Sequence, residues 1–222
     1  MDPATGMLAI WHDVAGMPAE RIDDWYNHEH HPERLSVPGF LEARRGRLIG
    51  GTGPQFCSLY RTAEPGVLQS PAYLARLASP TPRTREIMPL YRNMSRTVCR
   101  IALREGGADG GAFACLTGSG AVDDVPAEVR ALSAKLLATP PVVRCTFLVP
   151  AAAAPQTVEA RLRGGADASV GWAMLVDANE AGDALSLLPV LASALGKLPG
   201  GAQPIHCAAY RLVYAGRAGD RS

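Results

Sequence analysis

The sequence has no excess of charge of one sign and no long apolar run. Its 222 residues include 22 Lys or Arg and 21 Asp or Glu, which leaves a net charge of +1. Proteins that bind nucleic acid or anionic membranes depend on a strong positive field, so neither partner is expected. No stretch of about 18 apolar residues is present, and no membrane-spanning helix is predicted. The first residues, MDPATGMLAIWHD, lack the features of a signal peptide, so a cytoplasmic protein is expected.

Metal-binding and disulfide patterns are also missing. The cysteines are five in number, and no two form a CxxC pair: Cys57, Cys99, Cys115, Cys145 and Cys207. An odd number of dispersed cysteines in apolar, strand-like runs indicates buried free thiols. The segment His28-Glu29-His30-His31 is not an HExxH motif. We therefore expect no metal and no bound cofactor.

What is present is a pattern of strands and helices that occurs twice. Residues 7–104 contain alternating and amphipathic segments in the order β-α-β-β-α-β, and residues 112–214 repeat that order. The predicted fold class is α+β, with two tandem ferredoxin-like units whose antiparallel sheets form an α/β barrel within one chain. Residues 1–105 form the first unit, 106–111 the linker, and 112–222 a second, degenerate unit.

Reactive side chains are concentrated in the first predicted helix. At 100° per residue, Tyr26 and Glu29 share its apolar face with Trp25, and His30 lies at the edge of that face. His28 and His31 are predicted to point away from it. A carboxylate on such a face is either paired with an arginine or partly desolvated. An ordinary helix end, with His and Arg near the last carbonyls, is the simpler alternative.

These residues carry a family resemblance. The chain resembles the EthD-like branch of the dimeric α/β-barrel superfamily over residues 7–104, in the segments WYNHEHHPERL (25–35), VPGF (37–40), LQSPAY (68–73), TPRT (81–84) and RNM (92–94). The resemblance implies a ligand cavity between sheet and helices, and proton transfer by a His or Tyr in that cavity. It points to His30 and Tyr26 as catalytic candidates. Residues 112–214 match only in the order of their elements.

Five further residues are candidates for substrate binding. Arg45 follows the strand alternation and would bind an oxyanion if its face lines the barrel, although a solvated strand edge explains it equally well. The others are His12 and Tyr60 on predicted strands, and Tyr91 and Asn93 after the second helical region. A histidine satisfied within the core and a core tyrosine with its hydroxyl at the rim are the alternatives for His12 and Tyr60.

Together these features predict a cofactor-independent enzyme for a small, largely apolar ring compound. In this hypothesis His30 is the general acid or base, Glu29 orients it, and Tyr26 or an arginine holds the oxyanion. The reaction would be that of a lyase, isomerase or cyclase. The alternatives are a cofactor-free oxygenase and a non-catalytic protein that binds a small molecule such as haem. A homodimer is compatible with all three.

Overall fold

The computed structural model describes residues 5–152, 158–164, 167–201 and 203–220. The strands of the first half are β1 (Gly6–Val14), β2 (Phe40–Thr52), β3 (Phe56–Thr62) and β4 (Tyr91–Glu105). Those of the second half are β5 (Ala112–Gly118), β6 (Val142–Ala152), β7 (Trp172–Ala178) and β8 (His206–Arg217).

The helices differ between the two halves. In the first half α1 (Ala19–Trp25) continues through a π-helical turn (Tyr26–His30) into α2 (His31–Leu35). The second helical region contains α3 (Pro71–Ala78) and α4 (Pro82–Ile87), preceded by a 3-10 turn at Pro65–Gln69 and followed by another at Met88–Leu90. The second half contains α5 (Ala127–Leu137), α6 (Val158–Leu162) and α7 (Ala181–Leu195). Prolines at the first positions of α3 and α4 divide the second helical region, because proline favours the first turn of a helix and disfavours its interior.

The eight strands close into one antiparallel barrel in the order β1-β3-β2-β8-β5-β7-β6-β4. Within the first half the order is β4-β1-β3-β2, and the equivalent strands of the second half follow the same order, β8-β5-β7-β6. The halves join edge to edge, β2 with β8 and β4 with β6. Closure leaves neither sheet with an unpaired edge strand.

Alternation along the strands separates two apolar layers. One buried cluster, containing Ala9, Trp11, Phe113, Leu175 and Tyr210, has members from seven strands and therefore fills the barrel interior. Residues of opposite phase, such as Leu8 and Tyr60, pack outward beneath the helices. The ligand cavity described below lies in this outer layer.

All five cysteines are free; four are buried and Cys207 is partly exposed. Among the described segments, no helix is long and apolar enough to cross a bilayer.

Candidate functional site

A π-helical turn shapes the segment that carries the site. Pro32 has no N–H and its ring would clash with the carbonyl four residues earlier, which disfavours a regular α-helix. The chain widens instead, and the His31 N–H bonds to the Tyr26 carbonyl, five residues back. The wider turn advances each residue by a smaller angle than an α-helix does. The helical faces therefore drift from those predicted at 100° per residue.

The drift corrects the prediction for His31. His31 was expected on the outer face of the helix, but it is fully buried. Tyr26 and His30 are almost fully buried as well. Its ring stacks on Tyr214 at 4.2 Å and lies 4.8 Å from the ring of Tyr26. Both of its ring nitrogens are buried without a hydrogen-bond partner. His28 does remain exposed, where it pairs with Asp24.

The cavity lies between this helix and the outward face of the barrel. Six of its lining residues from the first half are Leu8, Ile10, Tyr26, His30, Tyr60 and Tyr91. Its volume is about 30 Å³, which holds a few water molecules but no ring compound unless side chains move. Met88 and Met94 also line it, and the flexible thioether side chain of methionine makes such movement inexpensive.

A short chain of hydrogen bonds crosses one wall of the cavity. The Tyr26 hydroxyl lies 2.5 Å from the Tyr91 hydroxyl and 2.9 Å from His12 Nε2. His12 Nδ1 lies 3.3 Å from the Asp13 carbonyl, which can only accept, so Nδ1 carries the proton and Nε2 is the acceptor. Tyr91 therefore donates to Tyr26, and Tyr26 donates to His12. Burial, then the charge of Arg45, lowers the pKa of His12 to about 3, so the acceptor is neutral.

Arg45 lies behind this chain rather than in the cavity. Its guanidinium is fully buried, stacks 4.1 Å from the Tyr26 ring centroid and bonds to Asp23 at 2.6 Å. Burial acts to raise the pKa of Asp23, but hydrogen bonds from Arg45 and Arg47 outweigh it and lower that pKa. Arg45 thus supports the ring of Tyr26 and holds a positive charge beside it.

Three cavity-lining residues have a buried polar atom that nothing in the described structure satisfies. They are His30 at Nδ1, Arg34 at Nη1 and Tyr60 at its hydroxyl. Burial, then the charge of Arg34, holds the pKa of His30 well below its usual range. Burial likewise raises the pKa of Tyr60. At neutral pH the cavity therefore contains a neutral imidazole and a neutral phenol. Buried polar groups without partners are rare and indicate a ligand or a catalytic role.

His12 itself is not among the lining residues described, and the structure does not bring Glu29 or Asn93 to the cavity either. Glu29 accepts a hydrogen bond from the Trp25 indole at 3.1 Å and another from Thr81, and it is not among the lining residues described. Asn93 is exposed, with a positive φ of 51°, and donates to Asp13 at 2.6 Å. In this structure both side chains stabilise local packing.

The second half supplies residues that the sequence analysis missed. Glu159 and Arg163, on and just after α6, line the cavity. Glu159 accepts two hydrogen bonds from Arg34, at 2.6 and 2.8 Å, in a buried ion pair. Burial acts to lower the pKa of Arg34, but the Glu159 carboxylate outweighs it and raises that pKa. The pair spans 125 positions of sequence, and no local pattern predicts it.

Across residues 5–152, 158–164, 167–201 and 203–220, no three His, Cys, Asp or Glu side chains are arranged to hold a metal ion.

Comparison with solved structures shows what the barrel resembles. An anthrone oxidase-like protein has a TM-score of 0.60 at 11% identity, covering 98% of this chain and 94% of its own. A candidate monooxygenase from Fusobacterium nucleatum subsp. nucleatum has a TM-score of 0.55 at 7% identity, covering 100% and 98%. A mutant chlorite dismutase from Candidatus Nitrospira defluvii reaches 0.50 at 10%, covering 96% and 92%. No protein-family model matches the sequence, and no curated protein is significantly similar to it.

At these identities the likeness shows the fold alone. The chain has the dimeric α/β-barrel fold, here closed within a single polypeptide. Because one fold can host unrelated functions, the function of this chain depends on its site.

Proposed function

We propose that this protein is a cofactor-independent enzyme that removes a proton from a small, largely apolar ring compound with an oxygen substituent. The observation that carries the proposal is that residues lining one cavity have unsatisfied polar groups, among them the imidazole of His30 and the hydroxyl of Tyr60. The remaining wall is mostly apolar and aromatic, which suits a ring. Lyase, isomerase and cyclase reactions all begin with such a step.

The two groups suit complementary tasks. The lowered pKa of His30 leaves its imidazole unprotonated at neutral pH, so a ring nitrogen can accept a proton. Tyr60 keeps its proton and can donate a hydrogen bond to the oxygen on which negative charge develops. Arg34, Arg96 and Arg163 line the same cavity and add positive potential.

These properties restrict the substrate. A buried imidazole with a lowered pKa is a weak base, so the proton it removes must be acidic. A C–H beside a ring carbonyl, or a phenolic O–H, meets that requirement. The resulting enolate or phenolate would be held by Tyr60 and the arginines, and its charge would favour the imidazolium of His30.

A cofactor-free oxygenase is the second candidate. The neighbour with a TM-score of 0.60 is described as anthrone oxidase-like, and a ring ketone with an acidic methylene fits the proton-removal step. The carbanion would then react with O₂, so that CH₂ plus O₂ gives C=O plus water. Haem binding is disfavoured because a porphyrin would require a much larger opening of this cavity of about 30 Å³ than a small ring compound does.

Anthrone is a suitable probe for both candidates. Incubation in D₂O under nitrogen measures exchange of its methylene protons, and incubation in air measures O₂ uptake. Exchange without uptake supports proton transfer alone, and uptake supports the oxygenase. If neither exceeds the buffer rate while anthrone quenches tryptophan fluorescence, the protein is a binder and the enzymatic proposal is wrong.

Two histidines of the same helix make a matched pair of variants. His30→Ala should lower kcat about 100-fold or more, because a positioned acid–base group contributes 10²–10⁴. His30→Gln should retain the fold, since it stays polar and of similar reach. His28→Ala should leave the rate unchanged, because this side chain is exposed and its partner is Asp24.

We also propose that residues 1–105 and 112–222 are tandem ferredoxin-like units joined by 106–111. The identical strand order of the halves supports this. Membership of the EthD-like branch is proposed on the sequence motifs between residues 25 and 94.

A further inference from the structure

A cluster of arginines lies at one mouth of the barrel interior, away from the proposed catalytic cavity. We define the mouth cluster as Arg44, Arg61, Arg104, Arg144 and Arg217, which come from β2, β3, β4, β6 and β8. Three carboxylates accompany these five cations, Glu42, Asp109 and Asp177. The cluster therefore contains more positive than negative charge.

The three carboxylates are already engaged. Asp177 is buried and accepts from both Arg44 and Arg144. Asp109 bonds to Arg144 and lies 3.3 Å from Arg217.

The third carboxylate, Glu42, also has a partner, but one N–H donor of Arg44 does not. Glu42 accepts from Arg61 at 3.1 Å. The Nε of Arg44 is buried without a hydrogen-bond partner, since its nearest carboxylate oxygens are 3.9 and 4.0 Å away. One N–H of a side chain that is more than nine-tenths buried is thus left over.

The guanidinium of Arg104 has no ion pair or hydrogen bond with any residue that the structure describes. Burial, then the charges of Arg144 and Arg61, lowers its pKa, which reflects the surplus of positive charge around it. The side chain of Arg104 is exposed to solvent, and its charge adds to the positive potential of the cavity that it lines.

These groups converge on a small cavity. Arg44, Arg61, Arg104 and Arg144 line it, with Glu42 as the one carboxylate in its described lining. The apolar walls are Met7, Leu59 and Leu175, which belong to the barrel core. Its volume is about 20 Å³, room for one water-sized species.

We propose that this cavity binds one small monovalent anion of the size of chloride. A single negative charge would accept the spare Arg44 N–H and offset the surplus of positive charge to which Arg104 contributes. Charge-assisted hydrogen bonds from guanidinium groups are among the stronger anion contacts. Phosphate and sulfate exceed the available volume. The site would stabilise the mouth of the barrel, independently of any reaction in the His30 cavity.

The test replaces sodium methanesulfonate by sodium chloride at constant ionic strength, so that general screening does not change. We expect the Tm of the full chain to rise by about 2–4 °C once chloride exceeds its Kd about fivefold, and to keep rising with the logarithm of the chloride concentration. Arg104→Gln should weaken chloride binding at least tenfold. Arg130→Gln, which removes an exposed cation from α5, should respond as wild type does.

Two further measurements keep the proposal refutable if Arg104→Gln does not fold. Chloride-35 line broadening by the wild-type protein should be competed by bromide. Anomalous diffraction from crystals grown in sodium bromide should place bromide within hydrogen-bonding distance of Arg104 and Arg44. Equal Tm in both salts, or bromide only at surface sites, would overturn the proposal. An unchanged chloride response in folded Arg104→Gln would do the same.

Discussion

Replacing Glu159 by glutamine is expected to destabilise the protein far more than an ordinary surface substitution does. Glu159 forms two hydrogen bonds, 2.6 and 2.8 Å long, with Arg34, and both side chains are about 95% buried. Glutamine keeps the volume and one acceptor oxygen but removes the negative charge. Arg34 would then be a buried cation without a counter-ion, and its Nη1 already has no partner.

The magnitude follows from that uncompensated charge. Breaking a buried ion pair from one side typically costs about 3–5 kcal/mol. Replacing both partners by apolar residues costs less, because no charge remains to be desolvated. We therefore expect Arg34→Met/Glu159→Leu to be more stable than Glu159→Gln alone.

Urea denaturation at pH 7, followed by tryptophan fluorescence, measures these differences. Glu128→Gln, which changes an exposed side chain of α5, is the matched control and should change the free energy of unfolding by less than about 0.5 kcal/mol. A loss below about 1 kcal/mol for Glu159→Gln would mean that α6 does not hold the pair closed in solution. The contribution of the second half to the cavity would then be withdrawn.

Three other changes test separate parts of the structure by urea denaturation. His31→Phe should be neutral or stabilising, because the buried ring nitrogens of His31 have no partners among the described residues. His31→Ala should cost about 2–4 kcal/mol through the cavity that it leaves. Exposure of residue 31 in the folded state would contradict both expectations. The free energy of unfolding should be complete above pH 6.5 and fall as the pH drops towards 3, because the unfolded chain takes up protons that the folded one does not. The expected loss is about 1.4 kcal/mol per pH unit for each buried histidine such as His12. A flat profile down to pH 4 would refute the lowered pKa values. Gly46→Ala should cost about 1–3 kcal/mol, since a Cβ there would lie 2.7 Å from atoms of Phe113 and Tyr210. If the variant is as stable as the wild type, these core side chains can move aside.

Several features of the fold were predictable from local patterns. Alternating segments predicted all eight strands, whereas the division into two tandem units stays a proposal. The same local logic located Tyr26 and His30 on the buried face of one helix. The outcome for His31 shows its limit, because a π-helical turn altered the angular period that the prediction assumed.

The composition of the site depended on tertiary contacts. Glu159 and Arg163 reach the cavity from the second half, and Glu29 turns to Trp25 and Thr81 instead of His30. Arg45 carries the alternation of a lining residue, yet it lies behind Tyr26 because Asp23 binds its guanidinium there. Sequence periodicity specifies which face of an element is buried, since that depends on backbone geometry. Which buried side chains meet depends on how the barrel closes, and only the tertiary structure decides that.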